Sequence, residues 1–244
     1  MKDNFSAQSE LYAKYRPVFP TELFDDLVKL SPGKKLAWDC GTGNGQAANV
    51  LAPHFEQVTA TDISEQQLQH AVRANNITYK KEPAESTSLT DDSVDLITVA
   101  QAVHWFDFDK FYKEVNRVLK EDGILALLSY GLFKTNSEMD EPIQEFYHEL
   151  VGPFWDEERE YIDEEYKTIP FPFSEIELGD YKIVKHWTFE EMIGYIESWS
   201  AVQHYKSAKK ENPITWIENR LKPLWPASQK VQTISDVILR VGKK

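Results

Sequence analysis

Over the first 130 residues, short apolar runs alternate with stretches whose apolar residues recur at helical spacing. Residues 35–39 carry an apolar run into a glycine-rich turn, and residues 45–52 read as a helix that Pro53 stops. Residues 57–61 form a second strand. Ser64, followed three positions on by Gln67, gives a capping-box pattern opening a helix with Leu68, Ala71 and Val72 on its apolar face. Strands follow at 77–81 and 94–100, separated by the polar loop 83–93. A helix through Phe108, Phe111, Tyr112, Val115 and Leu119 then leads to a fifth strand at 123–129. This rhythm predicts an α/β fold with parallel strands joined by right-handed crossovers. In such a doubly wound sheet, ligands sit at the carboxyl ends of the strands.

After Tyr130 the rhythm breaks. Residues 132–172 read as an acidic helical insertion, and 175–187 alternate like a strand or hairpin. Thr188 with Glu191 makes a second capping box, opening a helix with Met192, Ile193, Ile196 and Trp199 on one face. Residues 232–241 read as the last strand. Five of the seven tryptophans lie after residue 150, which weights this half toward an apolar cover packed on the sheet.

Composition narrows the class. With 244 residues, 41% hydrophobic and 27% charged, the chain is long enough to bury a sizeable core. Apolar runs such as 124–128 fall far short of the ~20 residues that span a bilayer, and residues 1–10 lack a secretory pattern, so a cytoplasmic protein without a membrane partner is expected. The single cysteine, Cys40, allows neither an internal disulfide nor a cysteine-based zinc site, and no metal is expected. The net charge of −13 and the lack of a basic stripe argue against a nucleic-acid partner. That charge is concentrated: residues 137–166 hold twelve acids against one base, Arg159, and read as a solvated face.

Glycine is scarce, yet three of the ten glycines fall within Asp39-Cys-Gly-Thr-Gly-Asn-Gly45, between a strand and a helix. Glycine lets backbone approach a ligand without a Cβ in the way. A nicotinamide-dinucleotide fingerprint would carry glycine at the sixth loop position, where this chain has Gln46. Asp39 also suits a ligand with an ammonium group better than a pyrophosphate. Asp62 ends the second strand 21 residues after Gly41, where a carboxylate can accept both hydroxyls of a ribose. Ala84 and Glu85 follow the third strand, and the fourth runs into Gln101-Ala-Val-His-Trp-Phe-Asp107.

In this order, from about residue 36 to 130, the sequence resembles the class I S-adenosylmethionine-dependent methyltransferases. The resemblance implies a mostly parallel seven-stranded sheet with its last strand antiparallel, and S-adenosylmethionine as cofactor. It assigns Asp39, Gly41, Thr42, Gly43 and Gly45 to the methionine-binding loop, Asp62 and Ile63 to the ribose side, and Ala84 and Glu85 to the adenine side. Gln101 matches the family position that faces cofactor and substrate, and Trp105 is a candidate to flank the adenine or the methyl group, with a core role as the alternative. Residues 12–20 (Tyr-Ala-Lys-Tyr-Arg-Pro-Val-Phe-Pro), 101–107 and 198–203 are similar to small-molecule methyltransferases of the trans-aconitate type, although relatives often carry Tyr where this chain has Phe19. The expected organisation is a helical cover over 1–30 (with a helix near 9–15), a cofactor core over 31–131, the insertion and substrate cover over 132–172, and strands and helices completing sheet and pocket over 173–244.

The acceptor side is expected among Tyr12, Tyr15, Arg16, His104, Trp199 and Tyr205. Arg16 could clamp a carboxylate bidentately, and His104 could serve as a general base. A carboxylate acceptor is already ionised and needs no base, whereas a phenol or quinone-like acceptor does. Base candidates are scarce, so the favoured reading is methyl transfer to a small molecule, at a carboxylate oxygen. The alternatives are a C- or O-methyltransferase with His104 as base and a non-catalytic cofactor-binding module. The sequence leaves the oligomeric state open.

Overall fold

A computed structural model describes residues 15–135, 137–227 and 230–244. The expected helix near 9–15, apart from Tyr15, and the pocket candidate Tyr12 lie outside the described residues. Strands β1 (Leu36–Cys40), β2 (Gln57–Asp62), β3 (Ile77–Lys81), β4 (Val94–Ala100) and β5 (Leu119–Tyr130) run parallel in the order 3-2-1-4-5. The central strands are apolar almost throughout because both faces of a parallel sheet are covered. On one face, α1 (Thr21–Leu30) lays Leu23, Phe24, Leu27 and Val28 against Ala37, Val58, Leu96 and the short helix α2 (Gln46–Leu51). Residues 21–30 are thus integral to the core. On the other face, α4 (Phe108–Val118) packs Phe111, Val115 and Val118 beneath β4 and β5.

Some readings of this half change: Leu119, expected on the helix through Phe108, is extended and is the first residue of β5. The helix α3 (Glu65–Gln69) is capped by the Ser64 hydroxyl, but the other half of the expected capping box does not form, because the Ser64 N–H goes to Asp62, and the helix spans only five residues. Val72 lies past its end with its N–H tied to the Asn44 carbonyl, and its side chain is exposed.

The sheet is closed by β8 (Val231–Lys243), which is antiparallel to all its neighbours. Residues 237–243 pair with β5, and 242–243 also with the two-residue β6 (Ser174–Glu175). Residues 231–236 pair instead with β7 (Lys182–Trp187). The sheet therefore has eight strands in place of the seven expected, because β8 outruns its partner β5 and takes up β7 along the excess. For the same reason β6 and β7 make no hairpin with each other; each is a partner of β8.

The remaining helices are α5 (Asp140–Glu145), α6 (Glu160–Asp163), α7 (Phe189–Glu197), α8 (Ser200–Lys209) and α9 (Ile214–Leu221). Both halves of the Thr188/Glu191 capping box form, at 3.2 and 2.8 Å. Trp199 is buried beside Met192 and Ile196 but caps α8; it is not the end of α7. Phe146, Tyr147 and Val151 of the insertion share one core with α7, α8 and α9, so the first part of the insertion and these three helices pack as a single layer beside the sheet. Ile162, Tyr166 and Ile169 join the sheet core directly. Among the described residues, no helix is long and apolar enough to cross a membrane.

Candidate active site

The turn after β1 has Gly41, Gly43 and Gly45 at φ of 67°, 55° and 82°, the left-handed region that glycine enters without strain. A Cβ on Gly41 would lie 2.6 Å from the Ala102 Cβ, and one on Gly45 would collide with the Tyr79 hydroxyl. The loop is pinned from below by Asp39. Its buried carboxylate accepts from the Thr42 hydroxyl at 2.5 Å, the Ala48 N–H at 2.9 Å and the Thr98 hydroxyl at 3.1 Å. Burial pushes its pKa up to about 6, against the pull of those donors, and the Asp62 charge raises it further.

Asp62, at the carboxyl end of β2, accepts the Gly43 N–H and the Ser64 N–H, each at 2.8 Å and on different oxygens. It thus ties the glycine loop to α3 while lining the cavity above. That cavity also takes in Thr42, Ile63, Gln67, Ala84, Gln101 and Trp105. Glu82, unremarked in the sequence, lines it as well, whereas Glu85 is outside the lining and accepts the Asp107 N–H at 3.1 Å. The Gln67 amide is buried, and among the described residues its Oε1 has no hydrogen-bond partner. A buried acceptor left unsatisfied costs about 1–3 kcal/mol, so a ligand donating there would be stabilised.

Gln101, the residue after β4, lies at φ 56°, costly for a side chain with a Cβ. It is held by its own N–H to the Leu128 carbonyl at 2.8 Å, by its Nε2 to the Tyr130 carbonyl at 3.2 Å, and by Ser129, whose hydroxyl donates to its Oε1 at 3.0 Å. This over-determined turn points to function, because Gln101, Trp105, Tyr130 and Arg16 line both the first cavity and a second one beside it.

The second cavity is walled by aromatic side chains, Tyr147, Trp155, Tyr195 and Trp199 among them, and holds His104, Asp156 and Arg159. Arg159 sits over the rings of Tyr147 and Trp155, 5.4 and 4.9 Å from their centroids. Its Nε donates to the Tyr147 hydroxyl at 2.6 Å, which in turn donates to Asp163 at 2.8 Å. Among the described residues Nη1 and Nη2 of Arg159 bond to nothing. The lone base of the acidic run is therefore an oriented cation of this cavity, beside Arg16, and Asp163 helps to hold it there. Tyr147 reaches the cavity from a π-helical turn (Phe146–Leu150), an irregularity often found at functional sites.

His104 is buried, with Nδ1 2.9 Å from the Tyr166 hydroxyl. Burial, reinforced by the Arg159 and Arg16 charges, lowers its pKa to about 3, so it is neutral at physiological pH. Arg16 is brought in by Lys185 on β7, whose Nζ donates to the Tyr15 and Arg16 carbonyls at 3.1 and 3.4 Å. Tyr15 itself lies outside both cavities, its ring against Gly194. Tyr205 is also outside, edge-on to Phe154.

The residues of the first cavity fit S-adenosylmethionine. Asp62 would accept ribose hydroxyls, the apolar wall at Ile63 and Ala84 would take the base, and Gln67 Oε1 offers an unused acceptor. Gly43 of the loop borders the cavity, and a Cβ there would come 4.0 Å from Gln67 Oε1.

Comparisons with known proteins agree. Residues 38–127 match the profile of the family described as "Methyltransferase domain". A candidate methyltransferase of Dictyostelium discoideum is 34% identical over 239 residues, covering 96% of this chain and 91% of that one. A Saccharomyces cerevisiae protein named for S-adenosylmethionine-dependent methyl transfer is 30% identical over 136 residues, 52% of this chain and 47% of that one. The solved structure of a candidate type II methyltransferase from Anaeromyxobacter dehalogenans superposes with a TM-score of 0.87 at 36% identity, covering 94% of this chain and 98% of that one. Likeness at this length, on a sheet and glycine loop of this geometry, makes the chain a member of the class I S-adenosylmethionine-dependent methyltransferases.

Proposed function

We propose that this methyltransferase acts on a small molecule and that the methyl group goes to a carboxylate oxygen. The observation that carries this reading is Arg159, held by Nε and by ring contacts, with both terminal nitrogens open in a cavity that Arg16 also lines. A planar guanidinium fixed in this way is matched to a carboxylate. The second cavity is walled by side chains of the chain itself, which suits a compact acceptor. The excess of acidic residues opposes approach to a phosphate backbone.

When bound, S-adenosylmethionine supplies a methyl group on a sulfonium whose positive charge disappears as the methyl leaves. The chain's part is to hold donor and acceptor in line and keep water out. Gln101, Trp105, Tyr130 and Arg16, which border both cavities, set that line. Aromatic walls exclude water from the acceptor side. No proton need be removed from a carboxylate, which agrees with a His104 too weakly basic at its pKa of about 3 to drive deprotonation of a phenol.

The test is a turnover screen with S-adenosylmethionine over small carboxylic acids, phenols and amines, with the product examined by mass spectrometry. Methyl ester formation is expected. Methylation confined to phenols, carbon acids or amines would overturn the reading.

A further inference from the structure

The turn that ends α6 is strained: Glu165 and Tyr166 lie at φ 55° and 60°, both left-handed and neither glycine. It is locked from behind, since Arg240 on β8 donates to the Tyr166 and Ile169 carbonyls. The effect is to drive the Tyr166 ring fully into the core and set its hydroxyl 2.9 Å from His104 Nδ1. Of the two groups, phenol is the stronger acid and the imidazole nitrogen the stronger base, so the favoured bond has the phenolic O–H donating to Nδ1. The proton of the neutral ring then resides on Nε2. Among the described residues Nε2 has no partner, yet it is not sealed from solvent, and His104 lines the second cavity.

We propose that His104 is a fixed hydrogen-bond donor to the acceptor anion through Nε2–H, with Tyr166 the positioning residue that sets this tautomer. The inference rests on the carboxylate reading for the identity of the anion. It adds a neutral donor, His104, to the two cationic ones, Arg16 and Arg159, with Asp156 as the acidic group in the same lining. The low basicity of His104 fits this role, because a ring that stays neutral keeps Nδ1 as an acceptor over the whole working pH range.

Two measurements test it. On enzyme labelled with 15N-histidine and free of acceptor, long-range 1H–15N spectra should show His104 as the Nε2–H tautomer down to pH 5. In Tyr166→Phe, the Nδ1–H form should appear. An Nδ1–H ring in the wild type, or no change in the variant, would overturn the inference. With the carboxylic acid of fastest turnover, His104→Ala should raise KM about tenfold or more, in line with a hydrogen bond to a charged group. His104→Gln, which restores an amide donor near Nε2, should stay within about threefold. Equal loss in both variants would refute donation to the acceptor. If only phenols turn over, the carboxylate reading fails, while the tautomer measurement still decides the state of His104.

Discussion

The Tyr147 hydroxyl accepts the Nε proton of Arg159 at 2.6 Å and hands its own to Asp163 at 2.8 Å. The two residues form a relay that leaves the far side of the guanidinium unspent. Replacing Arg159 with Ala should therefore raise the acceptor KM by about 10- to 100-fold, with cofactor affinity unchanged. Lys in its place should recover only part, since it lacks the planar fork. Tyr147→Phe should cost less than Arg159→Ala, because the ring contact survives. Steady-state kinetics alongside cofactor calorimetry checks all three.

Arg16 depends on a residue far along the chain. Lys185 holds the Tyr15 and Arg16 carbonyls, and its ammonium sits 4.2 Å from the Trp187 ring centroid. Lys185→Met keeps the aliphatic stem and removes the donor. The expected result is an acceptor KM several-fold higher with kcat little changed, and substantial recovery in Lys185→Arg.

Asp62 is both a loop tie and the proposed ribose acceptor. Asp62→Ala should weaken S-adenosylhomocysteine binding by at least about tenfold while circular dichroism still reports a folded sheet. Unchanged affinity would remove Asp62 from the cofactor site.

Asp39 supplies a pH dependence. Its folded pKa of about 6 lies above the ordinary 3.8, so the folded protein binds the extra proton and this group's contribution to stability falls as pH rises between those values. A cationic ligand favours the ionised carboxylate and opposes that loss. Thermal stabilisation by S-adenosylmethionine should accordingly be larger at pH 7.5 than at pH 5, by at least about 2 °C, and Asp39→Asn should flatten the difference.

The cofactor half was legible because its signals are local. Strand periodicity, the glycine turn and the acid ending β2 each act within a few residues, and 77–81 and 94–100 coincide with β3 and β4. Val72 was misread because helical spacing continues past a cap that ends the helix early. The acceptor half was less legible because its cavity is assembled from distant segments: Arg16, Gln101, Tyr147, Arg159 and Trp199 meet only in the fold. Arg159 did carry a signal, as the one base among twelve acids, but charge counting cannot reveal that one of those acids, Asp163, orients it. Glu85 and Glu82 show the converse, since both follow β3 and only packing decides which one borders the cavity.

The long strand β8 has a consequence for how the molecule comes apart. One end pairs with β5 of the cofactor core, and the other carries β7 and, through Lys185, the Arg16 backbone. Among the described residues neither β6 nor β7 has another strand partner, so losing β8 releases both and strips β5 of one of its two neighbours. Both cavities therefore belong to one cooperative unit. Occupancy of the first should slow amide exchange in the second, which hydrogen-exchange mass spectrometry with and without S-adenosylhomocysteine checks.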